Sequence, residues 1–235
     1  MLSLVWKDIV AARWLLLLVI PLGIVQVAVM SFLPVIYIVA VLSFAALLAL
    51  GSIAVEEAQR TELLWNSLPV SRGQLVAARY LTALIGMVTG LALGWVLAQA
   101  MARLASSGAD GPSALIGLDA HALLFGLLAC GVAVFLPLYF RFGAGRALLF
   151  CSAIAVATLL LVSLLAELIL SAKGYPSPIS DPEAWRAAAP ALMRRLTEWL
   201  APRFGRLLAL FLGAAVIVMG VSLLISRRLY EARDL

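Results

Sequence analysis

The chain has 235 residues, of which 65% are hydrophobic and only 12% charged, and its mean hydropathy is +1.11. Soluble domains carry about 45 to 50% apolar and about 25% charged residues, so a water-soluble globule is excluded and lipid is the main solvent. The net charge of +5 is therefore read first as an orientation signal, and no basic and aromatic patch of the kind nucleic acid binding uses accompanies it.

Long apolar runs, each near the roughly 20 residues that cross a ~30 Å hydrocarbon core as helix, predict an all-α integral membrane protein with six transmembrane helices. The spans are residues 14–33, 34–55, 80–102, 121–140, 147–170 and 207–226. Little chain remains for a separate soluble domain, so one transmembrane domain over 1–235 is expected. The opening "MLSLVWKDIVAAR" sets Leu2, Val5, Trp6 and Ile9 at helical spacing. That pattern suits an amphipathic helix in the inner interface, or equally an extension of the first span. The first run is too long for a signal-peptide core and no cleavage pattern follows it, so it is read as retained. Gln26 lies within it, and a polar group at membrane depth usually faces protein or a water-filled path.

With the amino terminus inside, Lys7, Arg13, Arg60, Arg72, Arg79, Arg141, Arg146, Arg227, Arg228 and Arg233 fall in cytoplasmic segments. Arg103 is the sole basic residue in the short outer loops, and the other outer cations lie in one longer segment after the fifth span. Short loops carry most of the orientation signal, so both termini are expected in the cytoplasm.

On this topology "EEAQRTELLWNSLPVSRGQL" is the cytoplasmic loop between spans two and three. Glu56 and Glu57 precede Arg60 by four and three residues, the spacing of helical ion pairs, and Glu62 extends the charged face. Pro69 stops that helix and pushes Leu68 out of the helical region. Ser71 followed by Gln74 is a capping-box pattern, which starts a new helix at Arg72. Leu63, Leu64, Trp65 and Leu68 make an apolar patch outside the membrane, suited either to a partner protein or to the chain's own inner helix ends.

These residues resemble a family. The Glu-Glu pair, Arg-Thr-Glu-Leu-Leu, a spacer and Ser-Leu-Pro-Val-Ser-Arg entering Leu-Val-Ala-Ala-Arg-Tyr-Leu look like the inner loop of ABC-2-type transporter permeases. The likeness is specific over Glu56 to Leu81 and is one of topology elsewhere. It implies a coupling helix that docks into a separate ABC ATPase subunit, with Glu56, Glu57, Arg60 and Glu62 on the docking face and Leu68, Pro69 and Arg72 at the turn. It further implies a second permease subunit, identical or paralogous, an export direction and a prokaryotic inner membrane. ATP and Mg would belong to the partner, because this chain has no phosphate-cradling Gly-x-x-x-x-Gly-Lys-Ser/Thr run and no cofactor of its own is expected. A membrane scaffold or sensor that recruits a soluble partner without transport is the alternative. "EEAQR" also resembles the CAAX-type intramembrane proteases, but those place three residues between Glu-Glu and Arg where two stand here, and they need further histidines.

In span three Gly86, Gly90 and Gly94 recur every four residues, a stripe that lets a neighbouring helix approach closely, within the subunit or across an interface. Gln99, near the outer end of that span, either lines the path or only reaches the interface. His121 opens span four and has no second histidine or thiol cluster to complete a metal site, so none is expected. Cys130 and Cys151 fall in spans as small apolar side chains, with no disulfide framework indicated. Glu167 either lines a conduit with Gln26 or pairs with Lys173. Between spans five and six, Asp181 and Pro182 predict the start of short outer helices. There Trp185, Ala189, Leu192, Met193, Leu196, Trp199 and Leu200 share one side, and Pro190 is a point where the helix could kink or divide.

Overall fold

A computed structural model describes residues 38, 41–43, 45–51, 53, 71–105, 117–176 and 182–232. Every regular element among them is helical: α1 (Arg72–Ala105), α2 (Leu118–Phe142), α3 (Ala144–Ala172), α4 (Pro182–Leu200) and α5 (Phe204–Glu231), with a 3₁₀ turn, Ala201–Arg203, between the last two. Residues 41–43 and 45–51 are helical as well. Among the described residues, four stretches are long and apolar enough to cross a membrane: Arg72–Val96, Leu118–Phe142, Ala144–Ala172 and the run Glu183–Glu231. The last three contain the predicted spans 121–140, 147–170 and 207–226, and the first covers the predicted span 80–102 as far as residue 96. The first predicted span, ten of the 22 residues of the second, and the amino-terminal helix lie outside the described residues.

The helices form where backbone groups have no water to bond, which leaves the helix as the way to satisfy them internally. Their ends follow local chemistry. α1 starts at the predicted Arg72, where the Ser71 hydroxyl accepts the Gln74 amide at 3.3 Å. α2 and α3 are separated by Gly143 alone, whose φ of 83° suits a residue without Cβ and whose N–H donates to the Tyr139 carbonyl at 2.9 Å. α3 closes through Gly174 at φ 74°, with the Tyr175 amide reaching back to the Leu170 carbonyl at 3.0 Å. α4 continues through Pro190 as one helix, so of the kink or division open there from sequence, division does not occur.

The residues fall into two compact units. The first includes α1, α2 and α5 from Phe211 onward. Its core is a seam of Val76, Ala83 and Met87 from α1, with Val132 and Leu136 from α2, all nearly inaccessible. On α5 the buried positions are Ala215, Ser222, Ser226 and Tyr230, while Val216, Ile217, Val221, Leu224 and Ile225 are exposed. This reverses a soluble helix: apolar side chains face outward, and small or polar ones face the interior.

The second unit spans Leu148–Leu210. From Leu148 to Ala172, α3 buries no side chain. Its hydroxyls nevertheless have partners: Ser152, Thr158, Ser163 and Ser171 donate to the carbonyls of Leu149, Ile154, Leu160 and Leu168 at 2.8 to 3.1 Å. Such back-bonding makes a polar side chain tolerable on a face turned to hydrocarbon.

Candidate functional site

The first unit brings together one end each of α1, α2 and α5. Arg72, the first residue of α1, donates from one guanidinium nitrogen to the carbonyls of Tyr230 at 3.4 Å and Glu231 at 3.1 Å. These belong to the last turn of α5, where carbonyls lack intrahelical partners and the helix dipole favours a cation. Gly73 lies beside the Arg227 side chain, so that a Cβ there would come 2.9 Å from Nε. Arg227 itself pairs with Glu231 at 2.9 Å. The aromatic ring of Tyr230 packs on Phe140, near the end of α2, with centroids 5.3 Å apart.

Two turns deeper, Tyr80 of α1 places its hydroxyl 2.6 Å from Ser222 Oγ and 2.8 Å from Ser226 Oγ, all three side chains being buried. Ser222 donates to the main-chain carbonyl of Ala133 in α2. That carbonyl is available because its ordinary helical donor would be the amide of residue 137, and Pro137 has none. A carbonyl only accepts, so the donor order is determined. Ser222 gives its proton to Ala133, Tyr80 gives its own to Ser222, and Ser226 gives its own to Tyr80. The defect introduced by one proline is thus the anchor of a chain of hydrogen bonds joining three helices. Hydrogen bonds between membrane helices contribute about 0.6 to 2 kcal/mol each.

The glycine stripe meets residues 41–49. A Cβ on Gly86 would come 2.6 Å from the Leu48 carbonyl oxygen and 2.7 Å from Ala49 Cα, and one on Gly90 would come 2.6 Å from Ala45 Cα. At Gly94 the nearest atoms are the Val41 methyls at 3.1 Å. The stripe is filled from within the chain.

In the second unit, α3 and α4 flank an open apolar cavity of about 1010 Å³, lined among others by Leu161, Leu164, Glu167, Trp185, Leu192 and Leu196. Of the apolar side read for α4 from sequence, Trp185, Leu192, Met193 and Leu196 line this cavity opposite α3, and the half-buried Glu167 contributes a carboxylate to the lining. Arg194 pairs with Glu198 at 3.7 Å, and Arg203 stacks 4.8 Å from the Trp199 ring while donating to its carbonyl at 2.8 Å.

Of the residues singled out from sequence, Arg72, Gly86, Gly90, Gly94, Gln99 and Glu167 are described; Gln99 is half-buried on α1. Gln26, Glu56, Glu57, Arg60, Glu62, Leu68 and Pro69 lie outside the described residues. His121, in the first turn of α2, is buried, with Nδ1 3.1 Å from the Gly117 carbonyl. Both cysteines are free thiols. Sequence reasoning missed Tyr80, Pro137, Ser222 and Ser226.

A family model described as ABC-2 family transporter protein matches residues 3–194. No curated protein and no solved structure matched the chain.

Proposed function

We infer the function from one premise: this chain belongs to the ABC-2 family of transporter proteins. It is a multi-pass, all-helical membrane protein, and we propose that it is the permease subunit of an ATP-binding-cassette exporter. In this reading six helices cross a prokaryotic inner membrane with both termini in the cytoplasm, and two permease subunits form the path. Glu56, Glu57, Arg60 and Glu62 dock on a separate ATPase that binds ATP and Mg, while Leu68, Pro69 and Arg72 make the turn that transmits its motion. Gln26, Gln99 and Glu167 line the path.

The family match carries the reading, since its span includes the charged loop at 56–72 and three of the four long apolar helices. The gathered ends of α1, α2 and α5 support it, because they bring Arg72, Arg141 and Arg227 to one end of the first unit, the pattern of an inner face. Replacing Glu57 and Glu62 together by lysine should lower co-purification of the partner ATPase about tenfold, the effect of ~1.4 kcal/mol at an interface. Retention at the wild-type level would remove the docking assignment. ATP hydrolysis in vesicles that is insensitive to every candidate cargo would favour the scaffold reading instead.

A further inference from the structure

We propose that Tyr80, Ser222 and Ser226, together with Arg72, are positioning residues that carry displacement of the 56–72 loop into α5, the last membrane helix. The inference rests on the transporter reading and extends it to a helix far along the chain from the loop.

The loop leads directly into Arg72, and Arg72 donates to the final carbonyls of α5. A pull on the start of α1 therefore acts on the end of α5. Two turns on, Tyr80 is fastened to α5 by two hydroxyls at 2.6 and 2.8 Å, and through Ser222 to the Ala133 carbonyl of α2. The exposed contact at Arg72 and the buried one at Tyr80 give the pair of helices two attachment points, where a single point would act as a pivot. The hydroxyls have no water to exchange with, because Ser226 is wholly inaccessible and Ser222 and Tyr80 nearly so. Breaking the chain would strand donors and acceptors in a low-dielectric interior, so the end of α1 and the end of α5 change state together or not at all.

The test uses the full complex with its ATPase in lipid nanodiscs and reads amide hydrogen exchange with and without ATP and vanadate. In the wild type, nucleotide should alter exchange at 72–80 and at 226–231 together. Tyr80→Phe, which removes only the hydroxyl, should leave the response at 72–80 and diminish that at 226–231 by about fivefold or more, the lower end of a coupling between sites. Ser226→Ala should act in the same direction, and Ser226→Thr, which keeps the hydroxyl, should restore the response; a purely space-filling role would not distinguish these. Arg72→Gln with Tyr80→Phe should abolish the response at 226–231. A response at 72–80 without one at 226–231 in the wild type would overturn the inference while leaving the transporter reading in place, as would an undiminished response in the double variant. A response at neither segment would overturn both.

Discussion

Pro137 and Ser222 show how one residue's deficit becomes another's role. A proline in a helix interior ordinarily costs about 3 kcal/mol, partly through the carbonyl it leaves without a donor. Here that carbonyl belongs to Ala133 and is taken by Ser222 from α5. Ser222→Ala should destabilise the protein by about 1–3 kcal/mol, the effect of leaving a buried acceptor unsatisfied. In a Pro137→Ala background, where residue 137 again has an N–H to donate to Ala133, the same change should be milder by about 1 kcal/mol. Thermal unfolding of the four proteins in one detergent measures the difference, and equal penalties in both backgrounds would refute this account of the carbonyl.

At the scale of elements, α1 is built for contact on one side and lipid on the other. The approach of residues 41–49 to Gly86 and Gly90 is limited by backbone, whereas at Gly94 it is limited by methyl groups that can shift. Alanine at Gly86 or Gly90 should therefore lower the unfolding midpoint in detergent clearly more than alanine at Gly94, with a penalty in the about 1–3 kcal/mol range of overpacked sites. Equal midpoints for all three would mean that the stripe carries no close packing. This stripe was legible in the sequence because its period is local, and so was the start of α1, set by Ser71 and Gln74. The hydroxyl chain was not legible, because Tyr80 and Ser222 stand 142 residues apart. Serines in apolar helices also commonly bond their own backbone, as those of α3 do. A signal was nevertheless present: Ser222, Ser226 and Tyr230 recur every four residues among exposed aliphatics, the same period that marks the glycines.

At the scale of the whole molecule, apolar runs long enough to cross a membrane made four helices predictable, since lipid permits few other solutions. Charge orders the ends of those helices. If the topology is as proposed, cysteines placed at Arg141 and Arg228 should resist a membrane-impermeant maleimide in intact cells and react once the membrane is opened. A cysteine at exposed Arg194 should react in both conditions. Reversal of that pattern would put the 56–72 loop outside, beyond reach of any cytosolic motor.

The self-contained hydroxyls of α3 have a consequence for how that helix sits in lipid. Because each returns its proton to its own backbone, the length from Leu148 to Leu170 shows hydrocarbon nearly the same chemistry at every azimuth. Spinning such a rod about its axis changes its solvation little, so wetting alone does not choose its angle. Glu167 is the one ionisable carboxylate in that length, and it acts as the compass mark: whichever way it is made to point, the rest of the helix follows.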